Sequence, residues 1–599
     1  MSNTLIISVI IIYFLVLVGI TWVIIWKAVK LRHVLELVIA IALIIVINII
    51  GNVKFSRIDL TEDKLHTLSD GTIDFLENEI DQVINIEIYL EGEFPAAIQK
   101  LKNSIREKIE EFQAYAGKKI RFRFINPLED KELAKTLTEQ LKGAGLFPSF
   151  IYSQEEGEEK SSEIWPGATL RYGDREEVIQ FLPGGEYATN PGLIQDAVNK
   201  LEYKFVTAFW QLTHKERNTI GFLRGHNELN NAQAWAIHYD LSEFYKIDTV
   251  NIIDSTGKEN LKALNKFDAV IIAKPKLPFT EKEKYIIDQY VMKGGKVVWL
   301  IDQLGVPEDS LSLKPMTHTY QFDLNIDDML FKYGARINKN LVADRSSAPI
   351  RRADSSSVIN NWYLHPILYN QNLTKLTKNV APIKIRYGNS IEAVGSDDIK
   401  KTVLLESSKN YKIMPARFRL AYYHNKDAYR PIDSLRTDPD IKKPMGLLLE
   451  GEFTSHFKGR IIDKYIDDPK ANYLEKSKPN KMVVIADGDL IRNELTKNKK
   501  GKLKPYGLQY DPLITYQNNQ VIPVYGNGIF FHNLMDKLMG DEHLISLRSR
   551  MKIPRLLDAD EVSLNRRSWQ VFNLTIPVIL VVLLGLIQWF IRRRRFAIK

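Results

Sequence analysis

Three uncharged apolar runs, two near the start and one near the end, constrain this chain more than anything between them. Thr4 to Trp26 is long enough to cross a bilayer as a helix. Leu37 to Val53 is somewhat shorter, with Glu36 at its rim. Trp569 to Ile591 carries Trp569 and Trp589 near its ends, where an aromatic belt belongs. Lys27, Lys30 and Arg32 lie between the first two runs, and Arg592 to Arg595 follow the third. Basic residues next to a span favour the cytoplasmic side. The expected arrangement is therefore a transmembrane hairpin over 1–53 (spans about 4–26 and 34–53) and a last span (about 569–591, within 561–599) ending in a basic cytoplasmic tail. The region from Lys54 to Ser568 is then external. A cleaved signal peptide fits the first run poorly, because MSNT has no basic residue and the run is too long. Lys54, Arg57, Arg566 and Arg567 argue mildly for the inverted arrangement, but long loops weigh little in this rule.

The absence of cysteine in 599 residues excludes disulfides, thiolate-ligated metals and a thiol nucleophile. The formal charge of +9 is spread among interleaved acidic residues, so it does not describe a nucleic-acid surface.

In the first external part, VINIEIYL (83–90) alternates as a strand does. Pro95 to Tyr115 has helical spacing in Ile98, Leu101, Ile105, Ile109 and Phe112. KIRFRFINP (119–127) alternates again, 130–142 reads as a helix, and PSFIYS as a short strand. ATLRYGDREEVIQFL reads as a hairpin turning at Gly173-Asp174, and Pro191 to Leu212 as one long helix. The order β-α-β-α-β-β-α is that of a thioredoxin-like domain, expected over 54–215, which without cysteine cannot do thioredoxin redox chemistry.

From Asn218 the rhythm becomes strand–helix: NTIGFL, a helix near 232–244, KIDTVNII, a short helix, then DAVIIAKP. A helix opened by the capping box Thr280–Glu283 and closed at Gly294-Gly295 precedes KVVWLID. Buried strands alternating with helices predict a parallel, doubly wound sheet, expected within an α/β domain over 216–560. Residues 306–480 are polar and β-leaning, read as an insertion, before KMVVIADGD restores a buried strand and Ile529 to Met539 a helix. KNKKGKLK (497–504) reads as a solvated loop.

Ligands in such sheets sit beyond the carboxyl ends of the strands. Those ends carry Arg224, Gly225, His226, Asn227 and Glu228, then Lys274, Asp302, Asp487 and Asp489. Convergence of His226, Asp302, Asp487 and Asp489 on one ion would make an envelope metal-dependent hydrolase. The same residue types also cap helices and hold turns without any ligand. No G-x-S-x-G elbow and no P-loop is present.

DLTEDKLHTLSDGT (59–72), YLEGEFP (89–95), FINP (124–127), GFLRGHNE (221–228), KPKLPFTEKE (274–283) and IADGDLIRNE (485–494) together resemble the gliding-motility-associated ABC transporter auxiliary (GldG) family. The resemblance implies a bacterial inner-membrane protein of the Bacteroidetes type. Its large domain would be periplasmic, and it would work with a separate permease subunit and a separate ATPase subunit. It also implies that the second domain is amidotransferase-like without the thiol nucleophile. The leading expectation is a non-enzymatic protein with no cofactor. Two departures stand out. Leu65 and His66 replace the family's usual Arg-Tyr, and the first span is additional. A purely structural envelope scaffold is a further reading.

The stretch 59–72 also reads mechanically. Thr61 can cap a turn with Glu62 and Asp63 at its positive end. Ser69 can cap a helix presenting Ile73, Leu76 and Ile80, with Leu68 as a hydrophobic staple. Asp59, Thr61, Glu62, Asp63, Leu68 and Ser69 are thus expected to form a rigid membrane-proximal joint.

Overall fold

The computed structural model describes residues 38–39, 41–43, 67–155, 158–185, 191–253, 260, 262–308, 316–351, 358–359, 362–370, 373–395, 397–417, 419–420, 441–460, 473–497, 503–515, 521–548 and 566–596. The two N-terminal spans, Asp59, Thr61, Glu62 and Asp63 fall outside that set, apart from five helical residues within 38–43. Two compact units divide the chain, Met1–Glu202 and Tyr203–Lys599.

In the first unit, helix Asp70–Asn78 starts at the N-cap Ser69, whose Oγ accepts from the Thr72 amide at 3.0 Å. The Glu202 carboxylate accepts from the Ser69 amide and from Thr72 Oγ1, each at 2.8 Å. The buried helix face is Thr72, Phe75 and Leu76, so Phe75 rather than Ile73 fills the interior, and Leu68 is buried beside the cap. The strands follow as β1 (Ile84–Ile88), β2 (Ile120–Phe124), β3 (Ser149–Glu155), β4 (Glu158–Ile164), β5 (Gly167–Tyr172) and β6 (Arg175–Gln180). One sheet has the order β2-β1-β5-β6, with β1 parallel to β2 and antiparallel to β5. β3 and β4 form a separate hairpin. Gly173, at φ 62°, makes the expected turn between β5 and β6.

Helix Ala96–Ala116 packs on β2 and buries Ile98, Leu101, Ile105, Ile109 and Phe112. Three- and four-residue spacings put these on one stripe, each worth about 1.5–3 kcal/mol of burial. Its C-cap Gly117 has φ 62°, which ends the helix. The long helix expected over Pro191 to Leu212 is instead two, Pro191–Asn199 and Leu201–Thr213. The Lys200 amide is shared between the carbonyls of Asp196 and Ala197, a tightening that ends the first of them.

In the second unit, β7 (Thr219–Arg224), β8 (Lys246–Asn251), β9 (Ala269–Ala273) and β10 (Lys296–Leu300) are parallel neighbours in the order β10-β9-β7-β8, and Asn480–Ile485 adds in parallel beside β10. The sheet is not wholly parallel, however. Pro444–Gly451 pairs antiparallel with Asn480–Ile485, and Ile399–Glu406 antiparallel with Pro444–Gly451. Residues 306–480 therefore supply two strands to the same seven-stranded sheet rather than standing apart from it. Met445 and Leu447 to Leu449 are buried within this extension. Such a strand, covered on both faces, shows no alternation to read. Among the described residues between β8 and β9 there are turns where a short helix was expected.

Helix Glu281–Met292 has the full capping box: Thr280 Oγ1 accepts from the Glu283 amide at 3.2 Å, and Glu283 Oε2 from the Thr280 amide at 2.8 Å. Gly294, at φ 99°, closes it. Against β9 and β10 this helix buries Ile286, Ile287 and Val291 in one cluster with Val270, Ile272, Val297 and Trp299. Helix Asn527–Met539 follows the sheet. Helix Arg566–Phe596 contains the one segment among the described residues that is long and apolar enough to cross a membrane, Arg566–Arg594.

Candidate functional site

The carboxyl ends of the parallel strands gather the residues expected there, in two clusters. The first is centred on His226. It follows β7 through Gly225 at φ 127° and precedes Asn227, a non-glycine residue at φ 56°. These two left-handed residues fold the loop back. The His226 amide donates to Glu228 Oε2 at 2.9 Å, and the His226 carbonyl accepts from the amides of Lys276 and Leu277. The ring is buried and stacks on Phe279, centroids 3.8 Å apart. Nδ1 stands 3.3 Å from Glu228 Oε1, and Nε2 stands 3.2 Å from Glu283 Oε1. Burial alone would lower the imidazole pKa. The two carboxylates outweigh it and raise the pKa to about 9, so the ring is a cation at neutral pH. Glu283 is also the capping-box glutamate, so this cluster fastens the β7 loop to the start of helix Glu281–Met292. Arg224 donates to Asn231 Oδ1 at 3.0 Å.

The second cluster is centred on Lys274, just past β9 and held at φ 57°. Its Nζ lies 3.1 Å from Asp302 Oδ2 and forms a short hydrogen bond to Asp489 Oδ2. Asp302 Oδ1 accepts from the Gly488 amide at 2.6 Å. A Cβ on Gly488 would come within 2.8 Å of the Lys274 side chain, so only glycine lets these loops meet. Asp487 accepts from the amides of Asp489 and Arg386 at 2.9 and 3.1 Å. Asp489 also pairs with Arg492 at 3.2 Å. The network continues through Arg386 to Glu494, and from Lys384 to Glu494 and to Asp511 at 2.8 Å.

Each shift has a local cause. Burial works against the Lys274 cation, but Asp302 and Asp489 hold its pKa above the ordinary lysine range. Burial raises Asp489, yet Lys274, Arg492 and Arg386 bring it well below the usual carboxylate range. Asp487 is pushed far up by burial, then by Asp302 and Asp489. Burial raises Glu494 as well, but Arg386 and Lys384 bring it down to about 2.

Asp302, Asp487 and Asp489 are thus brought together, while His226 is bound to its own two glutamates. Among the described residues no group of three or more His, Asp and Glu side chains is arranged to hold a metal ion. The cavity at the second cluster, lined by Lys384, Arg386, Asp489, Arg492, Glu494 and Tyr525, measures about 20 Å³. That is room for about one water molecule, against the several hundred Å³ of a ligand pocket. A wider hollow of about 470 Å³ is lined by Asp327, Leu330, Phe331, Arg336, Ile337 and Lys339, and its Asp327 and Lys339 already pair at 3.4 Å.

Sequence reading did not find Arg386, Lys384, Arg492, Glu494 and Asp511, nor the tie between His226 and Glu283. The RNE of IADGDLIRNE (485–494) was the available signal, since it puts Arg492 three residues from Asp489.

The fold and this site define a mixed α/β chain with a closed, ion-paired strand end and a long apolar C-terminal helix. Residues 217–522, just over half the chain, match the family described as an ABC-type uncharacterized transport system, ABC_transp_aux, and residues 62–171 match a domain of unknown function, DUF7088. The chain belongs to the ABC_transp_aux family and is consistent with an auxiliary protein of the GldG type. No curated protein matches it. Among solved structures, "mmIFT52 N-terminal domain" is similar at 12% identity and a TM-score of 0.30, over 54% of this chain and 97% of that one.

Proposed function

We propose that this protein is a non-enzymatic, membrane-anchored component of an ABC transporter complex associated with gliding motility or secretion. Its large region faces the periplasm, and its C-terminus is cytoplasmic in an inner membrane. It engages a substrate or envelope partner and couples that event to separate permease and ATPase subunits. The family match over residues 217–522 carries this reading. The strand-end geometry supports it, since Lys274, Arg386 and Arg492 are spent on the chain's own carboxylates and leave a water-sized space.

On this reading 1–53 is the anchor hairpin and 54–215 a thioredoxin-like domain. The segment 216–560 is an amidotransferase-like domain carrying 306–480, and 561–599 is the last span and tail. Arg224, His226, Asn227, Glu228, Asp302, Asp487 and Asp489 hold the strand-end loops in place beneath any ligand-facing surface, and Asp59 to Ser69 forms a stiff joint. The test is affinity purification of the full chain from native membranes. A permease and an ATPase subunit should co-purify in fixed ratio, and their absence would overturn the reading. Replacing 61–70 with a Gly/Ser linker should abolish function while both units stay folded. Normal function in that variant would remove the joint.

A further inference from the structure

We propose that the arginine collar at the C-terminal end of helix Arg566–Phe596 binds the headgroup phosphates of anionic phospholipid. The proposal rests on the membrane-anchor reading above. The apolar stretch of this helix is exposed all round, with Leu574, Val578, Val581, Leu584 and Ile587 open to the surroundings and no polar stripe to seat another helix. A helix apolar all round has the surface of a membrane span.

Arg592 to Arg595 occupy four consecutive helical positions, a full turn at 3.6 residues per turn, so the collar surrounds the axis rather than marking one face. Arg592, Arg593 and Arg594 are exposed. The Arg593 guanidinium lies 5.2 Å from the Trp589 ring, stacking a cation on an indole where headgroups begin. Arg566 and Arg567 bound the other end. From Arg567 to Arg592 the helix rises about 38 Å. That exceeds a hydrocarbon core of about 30 Å and approaches the 40–45 Å that includes the headgroups. Both sets of arginines therefore reach the phosphate layers at once.

The choice of residue adds to the argument. Lysine outnumbers arginine in this chain, yet all six of these bounding positions are arginine. A point charge would serve a general preference for one side of the membrane. The planar fork of arginine also grips a phosphate bidentately. Four forks at one end against two at the other assign the anionic leaflet to the C-terminal side.

The test uses the full chain in nanodiscs of phosphatidylethanolamine with a minor share of phosphatidylglycerol. The chain is released into detergent, and the lipids it retains are counted by native mass spectrometry. Retained phosphatidylglycerol should exceed its share of the bilayer by at least about fivefold. The excess should vanish in R592Q/R593Q/R594Q/R595Q and mostly vanish in the fourfold Arg→Lys variant, which keeps charge but loses the fork. Added inorganic phosphate should leave it unchanged. Retention at the bilayer ratio, full enrichment in either variant, or displacement by inorganic phosphate overturns the proposal. Alkaline extraction of native membranes separates the two readings. Release of the unaltered chain would sink the membrane anchor itself, whereas an embedded chain without lipid enrichment would sink the collar alone.

Discussion

On the small sheet, Arg123 meets Glu87 and Arg171 meets Glu176 across neighbouring strands, with both arginines open to water. At the strand ends of the large sheet, Lys274 meets Asp302 and Asp489, whose carboxylates have almost no access to solvent. The pairs look alike on paper and differ in what happens when one partner goes. In the open pairs water replaces the lost charge, so the pair is worth little. In the closed cluster nothing replaces it, and an uncompensated buried charge remains. The open pairs decorate a fold, and the closed one fixes how three loops meet.

Lys274→Met should have the largest effect. It strands Asp302 and Asp489 and should destabilise the second unit by about 3–5 kcal/mol. The full chain in detergent, unfolded with urea and followed by hydrogen exchange at β7, β9 and β10, checks this. A loss as small as that of an exposed pair would erase the contrast.

His226→Gln comes next and adds a pH signature. The folded pKa of about 9 lies above the ordinary 6.5. The stabilisation is therefore fully present below 6.5 and lost as pH rises through 9, roughly 2 kcal/mol after allowing for solvent screening. Thermal unfolding of the unaltered chain should weaken between pH 6.5 and 9, and in the Gln variant that part of the slope should disappear. An identical slope in both would place the titration elsewhere.

Thr280→Ala removes the cap that Glu283 shares with His226 and should cost about 1 kcal/mol. It should also lower the His226 pKa, read by its ring proton shifts, because Glu283 loses its anchor. A fully retained pKa would show that the cap and the cation act independently. Arg123→Ala, on the open sheet, should change stability by less than about 0.5 kcal/mol by calorimetry. A larger loss would mean that Arg123 acts through something besides its charge.

Much of this was legible along the chain because it depends on near neighbours. Ser69 and Thr280 were readable as caps, Gly173 as a turn and Gly294 as a helix stop, since each acts within a few residues. The buried stripe from Ile98 to Phe112 follows from helical spacing alone. The strand at Pro444–Gly451 was hidden because Met445 and Leu447 to Leu449, unlike the valines and isoleucines of the strands that were read, favour no strand over a helix. The break at Lys200 was hidden because it turns on one shared amide. For the site, residue identities at the strand ends were readable while their grouping was not. His226 shares the strand ends with the aspartates, but Glu283, fifty-seven residues on, holds it instead.

The amino-acid sequence alone determined the local elements, the uncharged runs, the arginine-bounded C-terminal segment and the exclusion of thiol chemistry. These follow from period, charge and composition. Only the tertiary structure decided that 306–480 extends the large sheet, that His226 and the aspartates form separate clusters, and that the cavity beside Asp489 measures about 20 Å³. Those outcomes depend on which distant groups share a desolvated space. There the energy of an ion is set by its neighbours in three dimensions rather than along the chain.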